Sequence, residues 1–150
     1  MNIMIVGVGG QGSLLASRIL GNAVLLKGFD VKVSEVHGMS QRGGSVVTYV
    51  KYGDKVASPV ICRGEADIIM SFELLEAARW LPYLKKGGVV ITNTQQINPM
   101  PVITGAAEYP EDLVDKMKAA GAKVIAADAL AIAREAGSEK AVNVALIGLM

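Results

Sequence analysis

The run NIMIVGVGGQGSLLASRIL, Asn2 to Leu20, decides the fold class. Asn2 to Val8 is a short apolar stretch rich in Ile and Val, the composition of a strand buried on both faces of a parallel sheet. Glycines follow at Gly7, Gly9 and Gly12 in the pattern GxGxxG. From Ser13 onward Leu15, Ile19, Ala23 and Leu26 recur at helical spacing, with Gly28 where a helix stops. The stretch therefore predicts strand, glycine loop and helix. In such a unit Gly7 permits a tight turn, Gly9 lets backbone approach a ligand, and Gly12 lets helix pack closely on strand. An anion can then rest on amides at the helix start. The same glycines equally serve an empty turn for geometric reasons alone.

Working outward, Val31 to Val36 and Ser45 to Tyr52 read as strands two and three, the latter closed by Gly53-Asp54. Asp67 to Phe72 and Val89 to Thr92 read as buried strands. Between them lies a helix with Leu74, Ala78 and Leu81 on one face, kinked or ended by Pro82 and stopped by Gly87-Gly88. Pro110, Glu111 and Asp112 suit a first helical turn, Gly121 closes that helix, and Lys123 to Ala127 is a further strand. Asp128 and Ser138 can each cap a following helix, the last two of the chain. The final helix runs to Met150 without a stop signal, so a C-terminal continuation of the domain is expected. The alternation predicts a single α/β domain over residues 1–150. It is a three-layer sandwich with a mainly parallel, Rossmann-like sheet in which Ser45 to Tyr52 can run antiparallel.

Composition narrows the function. The 150 residues are 51% hydrophobic and carry 15 basic against 14 acidic residues. That suits one compact core and argues against a nucleic-acid or anionic-membrane surface. Cys62 is the only cysteine, so no internal disulfide, four-cysteine iron-sulfur cluster or cysteine-rich zinc site forms within one chain. No metal site is expected. The N-terminus has no basic leader and no segment has the length of a membrane span, which reads as cytoplasmic.

Between strands two and three lies SEVHGMSQRGGSV, Ser34 to Val46. Arg42 offers a planar fork of donors for a carboxylate or phosphate, and Gly43 and Gly44 let that anion near the backbone. Histidine donates, accepts or changes charge near neutral pH, which makes His37 a second candidate. Loops at the carboxyl ends of strands carry the ligand sites of open α/β sheets. The plainer account is that Arg42 pairs with Glu35 or another acid and that His37 is hydrogen-bonded in a loop. Glu35, near the end of strand two, also stands where a dinucleotide fold holds a ribose. A stand-alone NAD(P)-binding dehydrogenase or sensor is therefore the alternative reading.

GVGGQG at Gly7 to Gly12 together with SEVHGMSQRGGSV resembles the gamma-type domain of 2-oxoacid:ferredoxin oxidoreductases. The resemblance continues through GEADIIMSFELLEAARWLPYLKKGG from Gly64 to Gly88, VITNT from Val90 to Thr94 and AEYP from Ala107 to Pro110. The HGMSQRGG form is similar to that of the beta subunit in the indolepyruvate branch. The resemblance implies a non-autonomous subunit, inactive alone and binding no cofactor by itself. A larger partner subunit carries thiamine diphosphate and iron-sulfur clusters, reduces ferredoxin, and oxidatively decarboxylates an aryl 2-oxoacid such as indolepyruvate to an acyl-coenzyme A. It further implies that this domain faces a composite site, where coenzyme A is a shared ligand. The residues carried over are Gly9, Gly10, Gln11 and Gly12 in the first loop, His37, Ser40, Gln41, Arg42, Gly43 and Gly44 in the second, and Asn93 after a later strand.

Other residues invite plainer readings. Cys62 has no activating pattern beside it. Met70, Met117 and Met150 suit core packing, while Met39 sits in the polar loop and suits either packing or an aromatic contact. Trp80 and Tyr83 suit an interface patch or a core edge, and Lys85 and Lys86 suit a helix C-terminus.

Overall fold

The computed structural model describes residues 1–37 and 43–150. Six strands, β1 (Asn2–Val8), β2 (Asp30–His37), β3 (Ser45–Gly53), β4 (Ala66–Ser71), β5 (Leu84–Asn93) and β6 (Lys123–Ala127), form one sheet in the order β2-β3-β1-β4-β5-β6. β3 is antiparallel to both β1 and β2, while β1, β4, β5 and β6 pair in parallel. The sheet is mixed around one reversed strand, as the sequence allows for Ser45 to Tyr52.

Side-chain alternation along β1 feeds two cores. Ile3 and Ile5 join Val50, Met70 and Ile91 beneath α1 (Ser13–Leu26), α5 (Ala129–Glu135) and α6 (Val142–Gly148). Met4 and Val6 join Val47, Ile69 and Val90 beneath α2 (Leu74–Trp80) and α4 (Leu113–Ala119). A single turn, α3 (Met100–Ile103), is an element the sequence reading did not contain. Among the described residues no helix is long and apolar enough to cross a membrane.

Four local expectations are corrected. The inward face of α1 is Ala16, Ser17, Leu20 and Gly21, whereas Leu15 and Leu26 of the predicted stripe are 52% and 89% exposed. Small residues bring the helix axis close to the sheet, and the bulkier leucines are turned outward. Gly87-Gly88 is not a helix stop. Pro82 ends α2 in a 3-10 turn, Leu81–Tyr83, and the two glycines lie inside β5 where its register with β4 shifts. A Cβ at Gly88 would stand 3.0 Å from the Asp67 carbonyl oxygen, so this irregular crossing needs glycine. Lys85 accordingly pairs with Asp67 of β4 rather than with a helix end. Finally, Pro110 precedes α4 and Asp112 is its N-cap in left-handed backbone at φ 53, while α6 ends at Gly148. Asp128 does cap α5, its Oδ1 accepting from the amides of Leu130 and Ala131.

Candidate functional site

Because β3 alone runs against its neighbours, its start lies on the same rim as the carboxyl ends of β1, β2, β4, β5 and β6. The glycine loop follows β1 there. Gly10 at φ 101 and Gly12 at φ 87 occupy left-handed backbone and make the turn. Gly7, expected at the turn, lies inside β1. A Cβ on it would stand 2.8 Å from Gln11 Oε1 and 3.1 Å from Phe72 Cβ, so Gly7 makes room rather than a bend. The Gly9 amide donates to the Gly44 carbonyl at 2.9 Å and the Gln11 amide to the Val8 carbonyl at 3.3 Å. The two glycine-bearing loops are thus laced together, and two loop amides are already occupied by protein carbonyls.

The helices that follow β1 and β4 pack on opposite faces of the sheet. The crevice between these strands is therefore the switch point at which open α/β sheets receive ligands. Gln11 spans it. Its Oε1 accepts from the Val8 amide at 2.7 Å, and its Nε2 donates to the Phe72 carbonyl and to Gln95 Oε1, each at 3.2 Å. Asn93, 1% exposed, stands behind it. Its Nδ2 donates to the Phe72 carbonyl at 3.3 Å and its Oδ1 accepts from the Ala129 amide at 3.0 Å. Both predicted residues lie on the rim, and both hold its strand ends together.

The open space lies one step away. A groove of about 370 Å³ runs between Gly9, Gly10 and Leu14 on one side and Glu35 and His37 on the other. Gly12 also lines it, and Gly43 and Gly44 lie on the same rim, Gly43 in left-handed backbone at φ 77. Ser40, Gln41 and Arg42 lie outside the described residues, as does Met39. His37 and Gly43, the residues that bracket them, both reach this rim. The Glu35 carboxylate accepts from Thr48 Oγ1 at 3.4 Å. Among the described residues no group of His, Cys, Asp and Glu is arranged to hold a metal ion. Cys62 is exposed.

A second polar network on this rim was not singled out from the sequence. Glu73 and Glu76 are 1% and 5% exposed. Glu73 Oε2 accepts from the Glu76 amide at 2.8 Å, capping α2, while its Oε1 accepts from the Ile97 amide at 3.0 Å and from the Tyr109 hydroxyl at 2.5 Å. Burial, reinforced by the Glu73 carboxylate, pushes the Tyr109 hydroxyl well above the ordinary phenol range. Glu76 accepts from the Ser45 hydroxyl, from Arg79 Nε at 3.0 Å and from Trp80 Nε1 at 3.3 Å. Trp80 stacks at a tilt on Tyr83, ring centroids 5.1 Å apart. The available signal was Glu73-x-x-Glu76 at capping-box spacing. Nothing local announced that Ser45 and Tyr109 would meet these carboxylates.

The model of the pyruvate ferredoxin/flavodoxin oxidoreductase family matches residues 2–150. The chain belongs to this family. It is 49% identical to the indolepyruvate oxidoreductase subunit IorB of Thermococcus kodakarensis, over 99% of this chain and 75% of that one. The IorB subunit of Pyrococcus horikoshii is 48% identical over the same shares. Among solved structures, the pyruvate oxidoreductase subunit PORC of Thermotoga maritima superposes with a TM-score of 0.71. It is 20% identical, over 99% of this chain and 74% of that one. At that identity the likeness is one of fold.

Proposed function

We propose that this chain is the small, non-autonomous subunit of an indolepyruvate ferredoxin oxidoreductase, a cytoplasmic complex. The observation that carries the reading is near-half identity to two IorB subunits across almost the whole of this chain. The chain's own chemistry agrees. One cysteine cannot ligate a four-cysteine cluster. The residues present do not fit thiamine diphosphate either: the Gly9 and Gln11 amides are taken by carbonyls, and the groove wall carries the Glu35 carboxylate, which opposes a diphosphate. We therefore assign thiamine diphosphate and the clusters to a larger partner. There they supply the electron sink for loss of carbon dioxide and the path by which electrons reach ferredoxin, while the acyl group leaves on coenzyme A.

This chain contributes a shaped rim. Leu14 and the glycines of the groove offer an apolar, close-approach wall suited to the pantetheine arm of coenzyme A. Arg42 supplies the planar donor fork for a carboxylate or phosphate at the shared site. Ser40, Gln41 and His37 are further polar groups of the same segment of sequence. The dinucleotide alternative is opposed by topology. β3 lies between β1 and β2, so Glu35 stands two strand spacings from β1, roughly 10 Å rather than ~5 Å.

The test is biochemical. Affinity purification of the native complex is expected to recover a larger subunit containing thiamine diphosphate and iron. Arg42→Ala is expected to lower indolepyruvate-dependent ferredoxin reduction without changing the melting temperature. Unchanged kinetics would remove Arg42 from the site. Micromolar binding of NAD or NADP to the isolated chain by calorimetry would overturn the subunit reading.

A further inference from the structure

We infer that Glu76 is a positioning residue, which acts through the Ser45 hydroxyl to fix Gly44 and the start of β3 against the glycine loop. The inference rests on the functional reading above. Glu76 stands three residues after the N-cap Glu73, the position from which a glutamate ordinarily reaches back to its own helix's cap amide. That amide is instead served by Ser71 Oγ at 3.3 Å, and the Glu76 carboxylate is turned outward from α2 toward β3. It accepts the hydroxyl of Ser45, the first residue of β3. Trp80 Nε1 steadies the same pair, donating to Glu76 Oε2 at 3.3 Å and to Ser45 Oγ at 3.4 Å, and Arg79 Nε holds the other carboxylate oxygen.

A carboxylate 5% exposed is a costly choice for a helix that could have used a neutral residue at that place. Its partner says what it holds. Ser45 is paired with Val8, the last residue of β1 before the glycine loop, and one residue earlier the Gly44 carbonyl accepts from the Gly9 amide. Glu76 is thus the side-chain half of a clamp whose backbone half is Gly9 to Gly44. The clamp closes on the end of the segment that carries Ser40, Gln41 and Arg42. Its consequence is geometric: the clamp holds Gly9 and Val46, which both line the groove, in one register.

The experiment uses the whole complex, with Glu76→Gln, Ser45→Ala and the double variant assayed for indolepyruvate-dependent ferredoxin reduction. Each single change is expected to lower kcat/KM roughly tenfold per assembled complex, because small displacements of positioning groups are expensive. The double variant is expected to be no worse than the more severe single one, and Ser45→Thr, which restores a hydroxyl, to recover most of the activity. Asp67→Asn, at the opposite end of the sheet, should lower the melting temperature yet leave kcat and KM unchanged, separating positioning from general loosening. If Glu76→Gln prevents assembly, Ser45→Ala and Ser45→Thr carry the measurement with α2 unaltered. Variants with wild-type kcat and KM, or losses that multiply in the double variant, overturn the clamp alone. A wild-type complex that cannot use indolepyruvate overturns the functional reading first.

Discussion

Replacing Glu73 by alanine should be among the most damaging single changes on this rim. The side chain is 1% exposed, and three donors converge on it: the amides of Glu76 and Ile97 and the hydroxyl of Tyr109. Loss of the cap on α2 costs about 1 kcal/mol. Hydrogen bonds to a charged acceptor contribute about 1.5–3 kcal/mol each, and a buried donor left unpaired costs about 1–3 kcal/mol. Allowing water to reach the less buried Ile97 amide, the sum is roughly 3–5 kcal/mol. For a chain of this size that is a fall in melting temperature of about 10 °C. Tyr109→Phe keeps the carboxylate but removes one donor to it, and also the acceptor of the Leu75 amide at 3.0 Å, for about 1.5–3 kcal/mol. The double variant should then lose less than the sum of the singles, by about 0.5–3 kcal/mol, as groups within one network do. Urea unfolding followed by Trp80 fluorescence suits the assay, because Trp80 is the only tryptophan and ends α2 itself. A loss below about 1 kcal/mol in Glu73→Ala, or strict additivity with Tyr109→Phe, would refute the network as a structural tie.

Three further outcomes follow from the same geometry. The Tyr109 hydroxyl is held protonated in the native state. Its contribution to stability is full below the ordinary phenol value of 10.0 and falls as pH rises above it, so ultraviolet difference absorbance should detect this phenolate only as the protein unfolds in alkali. Asp67 behaves in the opposite sense. Its partial burial raises the carboxyl's affinity for a proton, but the hydrogen bonds from Lys85 and from the Asn2 amide outweigh this and hold it below the usual carboxylate range. The stability it provides is present above that range and is lost as pH falls through it, and Asp67→Asn should flatten the acid limb of a pH-stability curve. Gly7→Ala drives a Cβ to 2.8 Å from Gln11 Oε1 and should cost about 1–3 kcal/mol by thermal unfolding. Gly10→Ala meets open space and pays only for its left-handed backbone, about 1–2 kcal/mol.

The sequence told most about strands and least about who touches whom. β1 and β6 are read with their observed bounds because each is an apolar run closed by a glycine or a polar cap, a signal that depends on neighbours in the chain alone. α1 is found at its observed start, yet its buried face is misread. Hydrophobic periodicity weighs Leu15 and Leu26 heavily and gives no credit to Ser17 and Gly21, although small residues are what let a helix lie close to a sheet. Gly87-Gly88 is misread for a related reason. Glycine marks both a helix stop and a strand irregularity, and only the pairing of β4 with β5 decides between them. For the site, the motifs bring out Gln11 and Asn93, which lie on the rim, but not their engagement with protein carbonyls and amides. The Ser45–Glu76 and Glu73–Tyr109 contacts join residues 31 and 36 positions apart, beyond any periodic pattern.

The reversed strand makes this rim unlike that of a dinucleotide fold, although the chain begins in the same way. In a dinucleotide fold the second strand pairs directly with the first, so the acid at its end reaches a ligand seated on the glycine loop. Here β3 takes that place, antiparallel, and its start delivers Gly44 to the Gly9 amide. The Gly9 amide is thereby converted into a structural bond, and Gln11 fills the switch-point crevice that remains. The segment that joins β2 to β3 carries Ser40, Gln41 and Arg42, and its described ends, His37 and Gly43, both lie on the rim beside the glycine turn. The groove is walled on one side by the glycine loop and on the other by Glu35 and His37 at the end of β2.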